Sequence, residues 1–369
     1  MVTQGLCLVT PKSLLLYDFL SVKGGAESVS LKICGHYPNM NACFGFIDKK
    51  VFPSIHANLP GRITSLCAPT KILGWQTIKT AHAFKSNKNL LDGYETVIYS
   101  GSNAPFAVEN QKYGKRIYYC HTPPRFVYDL KEHYLNQVAF WQRPLLTGLI
   151  NYFQPRYQNS IDKMDIIIAN SINVQQRIKH YLGKDSVVVY PPCNTDAYKW
   201  IGQSDYYLST ARLEPYKRVD LIVNAFKNMP DKKLIVASGG SQLEVLKRLA
   251  NGASNIIFTG WCSNDTLYEL MGKCIASIYI PINEDFGMSP VESMAAGKAV
   301  IGVNEGGVAE TILEGVTGVL CPAKLTKDDI CDAVSRITSS RAKGMRYSCE
   351  MRADTFKQEI FFDSLNKLI

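Results

Sequence analysis

Short, continuous apolar runs, each followed by a stretch of helical character, recur along the whole chain. In the first half they are Gly5–Val9, Cys43–Ile47, Thr96–Tyr99, Arg116–Cys120, Ile166–Ala169 and Val187–Tyr190. In the second half they are Tyr206–Ser209, Lys233–Ala237, Ile256–Phe258, Ala276–Ile280, Ala299–Gly302 and Gly318–Leu320. Most do not alternate with polar residues. A strand made from such a run must be covered on both faces, as in a parallel sheet between two layers of helices. The alternation therefore predicts doubly wound α/β units. With 369 residues the chain is long enough for two of them. Pro191-Pro192 stiffens the backbone and ends the first series, Cys193–Ser204 reads as a linker, and a fresh series starts at Asp205. The expected boundaries are a domain over 1–195, a second over 205–345 and a C-terminal helix over 346–369. Open sheets of this kind bind ligands beyond the carboxyl ends of their strands, so chemistry is expected in a cleft faced by both domains.

Composition narrows the function classes. A chain that is 46% hydrophobic and 20% charged has ample core material and is neither disordered nor a disulfide scaffold. Its 11 cysteines are scattered with no C-x-x-C, which predicts reduced thiols and no zinc ribbon. The longest apolar candidate for a membrane span, Val138 to Phe153, is broken by Arg143 and Pro144. The N-terminus carries no basic segment followed by a long apolar core, so a soluble, cytoplasmic protein is expected. Residues 1–200 hold 22 Lys/Arg against 12 Asp/Glu, and the rest hold 19 against 20. A basic first half suits an anionic lipid surface or a phosphorylated substrate. Without aromatics interleaved among the basic residues, nucleic acid is not expected as a partner.

Several segments fall where strands should end. Gly24-Gly25-Ala26-Glu27 opens a helix, and paired glycines at a helix start let backbone N–H groups approach an anion; a plain turn has the same look. The G-x-G-x-x-G and Walker A patterns are absent, which speaks against redox dinucleotides and P-loop chemistry. Between Ser209 and Arg218, Arg212 and Lys217 suit a diphosphate, and a solvated basic loop is the competing reading. In Glu284-Asp285-Phe286-Gly287-Met288-Ser289-Pro290-Val291-Glu292, two acids with seven residues between them flank the start of a helix over Pro290–Ala296. Both can accept hydrogen bonds from vicinal sugar hydroxyls, while compensation of the helix dipole would also put acids there. His121 closes a strand ahead of Pro123-Pro124 and is placed to meet a ligand. No His/Cys cluster and no Asp-x-Asp offers a metal site, so any diphosphate must be neutralised by cations and helix ends.

Taken in order, these segments resemble the retaining glycosyltransferases of family 4, which have the GT-B fold. The likeness rests on Gly24-Gly25-Ala26-Glu27, His121-Thr122-Pro123, Ala169-Asn170-Ser171, Arg212 with Lys217, Phe258-Thr259-Gly260-Trp261 and Glu284-x7-Glu292. Ser293-Met294-Ala295-Ala296-Gly297-Lys298-Ala299-Val300 and Gly306-Gly307-Val308-Ala309-Glu310 extend it, and it is strongest over 205–322. Within the family the chain looks most like bacterial mannosyl- and related transferases that build O-antigen or capsule oligosaccharides on a lipid diphosphate carrier.

The resemblance implies that Arg212 and Lys217 hold the donor diphosphate, Glu292 the ribose hydroxyls and Glu284 the donor hexose. Backbone N–H groups of Phe286, Gly287, Met288 and Ser289 would line the hexose and phosphate site. Gly24 and Gly25 would approach the phosphates from the first domain, with His121 beside the transferred sugar and Trp261 near the base. Gly239 lies in Ser238-Gly239-Gly240-Ser241, where a G-x-G-x form is commoner. The implied activity is metal-independent transfer of a hexose, mannose from GDP-mannose foremost, to an oligosaccharide or lipid-linked acceptor, with no resident cofactor. A UDP-sugar donor, a nucleotide-sugar epimerase and a non-catalytic binding module are the alternatives. The first domain is then the acceptor side, and the C-terminal helix packs back toward it. Trp141, Leu145, Leu149 and Phe153 share one helical face beside Arg143; such a stripe packs on the core or on a partner subunit, and the basic charge of the first half favours peripheral attachment to the inner face of a membrane.

Overall fold

Two all-parallel sheets carry the fold in the computed structural model, which describes residues 12–22, 24–70 and 75–369. The first contains β1 (Ser13–Leu20), β2 (Met40–Ile47), β3 (Ile63–Ser65), β4 (Thr96–Ser100), β5 (Lys115–Cys120), β6 (Ile166–Ala169) and β7 (Val187–Val188), in the order β3-β2-β1-β4-β5-β6-β7. The second contains β8 (Tyr206–Ser209), β9 (Lys233–Val236), β10 (Ile256–Phe258), β11 (Ala276–Ile278), β12 (Ala299–Val303) and β13 (Gly318–Cys321), in the order β10-β9-β8-β11-β12-β13. Each sheet winds outward from its first strand and then returns to that strand's other side. The order reverses at the β1/β4 pair and at the β8/β11 pair, and at such a switch the following loops part to leave a crevice.

Continuous apolar runs became buried parallel strands, as both-sided cover requires. Val97, Ile98, Tyr99, Ile117, Tyr118 and Leu208 are fully buried. In the second unit the helix Val219–Lys227 lays Ile222, Val223 and Phe226 against the sheet. Burying side chains of this kind stabilises by roughly 1.5–3 kcal/mol each.

Two strands were not foreseen, and one expected strand is not described. Gly5–Val9 lies outside the described residues. The strand that leads to Gly24-Gly25 is β1, whose apolar run Leu14-Leu15-Leu16-Tyr17 is followed by a buried Asp18. The short edge strand β3 has no fully buried residue and hence no apolar signature. The segment Cys193–Ser204 is not a free linker. It forms a short 3-10 turn at Thr195–Ala197 and buries Cys193 and Tyr198 against the second sheet's layers. One compact unit comprises Met1–Asn170, Val174–Val189 and Leu365–Ile369, and the other Ser171–Asn173 and Tyr190–Ser364. The helix Arg346–Asp354 and most of Gln358–Asn366 fall in the second unit, and Leu365–Ile369 in the first.

The helical stripe in the first unit also needs correcting. The helix Arg143–Asp162 turns Phe153 into the core, against Phe106 and Phe126, and leaves Leu145 outside, and Trp141 is exposed on the preceding 3-10 turn Phe140–Gln142. The exposed apolar face is Phe140, Trp141, Leu145 and Tyr152, with exposures of 81%, 67%, 75% and 53%. Among the described residues no helix is long and apolar enough to cross a membrane.

Candidate active site

In the second unit the loops after β8 and β11 meet beside the switch point. Arg212, on the first loop, is exposed, and its guanidinium makes no hydrogen bond or ion pair among the described residues. Lys217 is buried at the end of the turn Pro215–Lys217. Its neighbour Arg218 takes a left-handed conformation (φ 53°) that sends its guanidinium to the carbonyls of Ile280 and Pro281, both at 2.7 Å, and to Glu305 at 2.9 Å. The Ile282 N–H donates to the Tyr216 carbonyl at 2.7 Å. Arg218 therefore ties the two loops together, a structural task that its place in a basic run does not disclose.

The tie sets the central contact of the site. The Lys217 ammonium donates to Glu284 Oε2 at 2.6 Å and to the Tyr279 hydroxyl at 3.0 Å. Burial first, then the nearby Glu284 charge, pushes the Tyr279 pKa well above the usual phenol value. Lys217 and Glu284, separated by 67 residues, were assigned to diphosphate and hexose; the fold joins them directly. An ammonium has three donors, and these contacts use two, leaving one for a phosphate oxygen.

The Glu284 loop is held by its backbone. Its carbonyl accepts from Asn173 Nδ2 at 3.0 Å and from the Gly307 N–H at 2.8 Å, and the Asp285 carbonyl accepts from Ser171 Oγ at 2.5 Å. Phe286 turns its side chain into the core against Tyr190 and Phe356. Gly287 has φ 91°, a conformation that glycine adopts without strain, just before the helix Met288–Ala295. That helix starts two residues before the expected Pro290, because Pro is accommodated within its first turn. Met288 and Ser289 therefore open it, and Glu292 lies beyond its first turn. Dipole compensation fades within one turn, so it does not account for Glu292. The Glu292 charge acts on both Tyr198 and Tyr279, which places it in the same neighbourhood as Lys217 and Glu284.

The loop after β9 explains its unusual glycines. A side chain at Gly239 would meet Trp261 Nε1 at 2.3 Å, so the indole lies directly on this glycine while Trp261 stays 72% exposed. A side chain at Gly240 would strike the backbone of Leu213. Ser241 Oγ donates to Glu214 at 2.7 Å, lacing this loop to the one that carries Arg212 and Lys217.

The remaining candidates lie in the first unit. Gly24 caps the helix Gly25–His36, with the Glu27 carboxylate folded over it and bonded to the Tyr17 hydroxyl. Gly25 is exposed. His121 Nε2 is 3.0 Å from Ser100 Oγ, and its ring lies edge-on to Tyr17 and Tyr119. Burial lowers its pKa to about 4, so the imidazole is neutral at physiological pH. At the switch point of this sheet Asp18 accepts from the backbone N–H groups of Ser102, Asn103 and Ala104 at 2.6–2.8 Å. This buried carboxylate fixes the loop after β4; in the sequence it is only a break in an apolar run. Among the described residues no group of His, Cys, Asp or Glu side chains converges as a metal site.

The chain is similar to known proteins over both units. Residues 194–354 match the family described as Glycosyl transferases group 1. The alpha-1,3/1,6-mannosyltransferase ALG2 of Dictyostelium discoideum is 25% identical over 353 residues, covering 76% of this chain and 79% of that protein. The serotype-specific mannosyltransferase WbdA of Escherichia coli is 26% identical over 198 residues, which are 50% of this chain and 24% of that longer protein. Among solved structures, the lipopolysaccharide outer core galactosyltransferase WaaB superposes with a TM-score of 0.71 at 17% identity, covering 96% of this chain and 98% of the other. Anabaena HepE in complex with UDP superposes with a TM-score of 0.70 at 16% identity, covering 96% and 100%.

Proposed function

The chain is a glycosyltransferase of the GT-B fold whose residues 194–354 form a glycosyl transferases group 1 domain, and on that premise we propose that it moves mannose from GDP-mannose to a hydroxyl of a lipid-linked oligosaccharide, with retention at the anomeric carbon. The observation that carries this reading is the meeting of Lys217, Glu284 and Tyr279 at the switch point of the second sheet, with Arg212 on the same loop as Lys217 and the Glu292 charge acting on Tyr279. Departure of a nucleoside diphosphate develops negative charge. The unpaired Arg212 guanidinium and the remaining Lys217 donor answer that charge without a metal ion. Glu284 takes hexose hydroxyls, and Glu292 takes the ribose. The mannosyltransferase names of two relatives support the choice of sugar. A panel of GDP- and UDP-sugars tests the donor by thermal shift. The bound donor at 100 times its Kd stabilises by about 2.7 kcal/mol. Transfer is expected to persist in EDTA and to give the retained anomer. Stabilisation by UDP-sugars alone, an inverted product, an epimerised donor, or loss of transfer that magnesium restores would each overturn the corresponding part.

We propose further that the first unit attaches to an anionic bilayer through Phe140, Trp141, Leu145 and Tyr152. Arg143 and Arg156 flank this face, no acid intervenes before Asp162, and Arg156 stacks 3.7 Å over the Tyr152 ring. Basic residues near such a surface contribute about 1 kcal/mol each and are screened by salt. Flotation with phosphatidylserine vesicles is expected to recover the protein at low salt and to lose it at high salt. Trp141→Ser with Leu145→Ser abolishes recovery. Equal recovery on neutral vesicles, or none on either, overturns the proposal.

A further inference from the structure

We infer that Ser100 is a positioning residue that puts the single ring proton of His121 on Nδ1, so that His121 meets a sugar oxygen as a hydrogen-bond donor and not as a base. The inference rests on the transfer reading above, with His121 in its implied place beside the transferred sugar, and deepens it. It starts from a row across the first sheet. Ser100, the last residue of β4, is paired with Tyr17 of β1 on one side and Tyr119 of β5 on the other. Residues paired in this way face the same side of the sheet, so the small serine leaves a notch between two large rings. The imidazole of His121 fills it. Its ring lies edge-on to Tyr17 and Tyr119, with centroids 6.2 and 5.1 Å apart, and Nε2 is 3.0 Å from Ser100 Oγ. Tyr119 is fixed in turn by its hydroxyl, which donates to the Val189 carbonyl at 3.1 Å.

A serine hydroxyl has one proton to give, and a neutral imidazole has one N–H. If Nε2–H donated to Oγ, the serine proton would have no acceptor. Ser100 is 1% exposed, and its hydroxyl makes no other side-chain hydrogen bond among the described residues. A buried donor without an acceptor is costly. When the serine donates to Nε2 instead, both groups are satisfied, and the ring proton is on Nδ1. Nδ1 makes no hydrogen bond among the described residues, and His121 is only partly buried, so this donor is left for a ligand. A base needs a free lone pair and enough basicity. Here Ser100 occupies the Nε2 lone pair, burial lowers the imidazole pKa to about 4, and no carboxylate acts on the ring. What His121 offers is an N–H, and a hydroxyl oxygen of the sugar is its acceptor.

Nitrogen NMR of histidine-labelled protein, with His121 assigned by the signals lost in His121→Asn, reads the tautomer directly. A protonated Nδ1 beside an unprotonated Nε2 is expected in the ligand-free wild type at neutral pH, and a mixture of tautomers in Ser100→Ala. Ser100→Ala is also expected to lower kcat about tenfold, the worth of one aligned hydrogen bond, with KM within about twofold. An asparagine amide sits near the place of Nδ1 and a glutamine amide near that of Nε2, so His121→Asn is expected to keep more activity than His121→Gln. In the His121→Asn background, Ser100→Ala is expected to cost nothing further, because it acts through the missing ring. A wild-type ring protonated on Nε2, a tautomer that Ser100→Ala leaves unchanged, or His121→Gln as the more active variant each overturns the inference and leaves the transfer reading standing. If Ser100→Ala does not fold, the wild-type tautomer and the two His121 variants decide. A wild-type protein that transfers no sugar overturns the transfer reading, and the role of His121 with it, whatever the tautomer.

Discussion

Lys217→Ala is expected to lower transfer by about 10²–10³-fold, the cost of removing one preorganised charge-assisted donor from a water-poor site. The same change strands a partner. Glu284, whose side chain is 22% exposed, loses its 2.6 Å ion pair and the Tyr279 hydroxyl loses a donor. Breaking a fully buried pair costs more, but the partial exposure of Glu284 limits the loss of stability to about 1–3 kcal/mol. Glu292→Ala is expected to cost about as much activity as Lys217→Ala, since on the proposed reading it removes a second polar contact to the donor. Initial rates beside melting curves check both. Variants that turn over like wild type with unchanged melting would remove these residues from the site.

Gly307→Ala is expected to damage the site without altering any side chain assigned to the donor. A methyl group there would lie 2.4 Å from Phe286 Cα and 2.5 Å from the Asp285 carbonyl oxygen. Both are backbone atoms, so the Glu284 loop itself must shift, and the Gly307 N–H bond to the Glu284 carbonyl goes with it. Overpacking of this kind costs about 1–3 kcal/mol in stability. A displacement of about 1 Å in a positioned catalytic group costs about a hundredfold in rate. Gly344→Ala is the control: nothing lies within 4 Å of the added methyl, and the residue ends the helix Ser339–Gly344. Enzyme assay and thermal melting of the two variants separate the cases. A Gly307→Ala protein with wild-type donor affinity would show that the loop does not depend on this close approach.

The sequence alone determined the layering. Runs such as Ile166–Ala169 and Tyr206–Ser209 coincide with β6 and β8 at both ends, because a strand covered on two faces is apolar at nearly every position. The strands that escaped notice are those without that signature: β3, which buries no residue fully, and β1, interrupted by Asp18. The carboxylate of Asp18 belongs in the core only because three backbone N–H groups from a loop some eighty residues later converge on it, and a local pattern holds no record of that convergence. The second sheet's site divides in the same way. Charged residues after strand ends marked Arg212, Lys217, Glu284 and Glu292, since strand ends and helix starts have local signals. Tertiary structure alone decided that Lys217 would bond to Glu284 and to the Tyr279 hydroxyl, and that Arg218 would serve the backbone. Tyrosines in apolar surroundings read as core in any one-dimensional pattern. Only the folded chain shows which buried hydroxyl has a carboxylate as its neighbour, because a polar group taken from water must find its partner in space, wherever that partner lies along the chain.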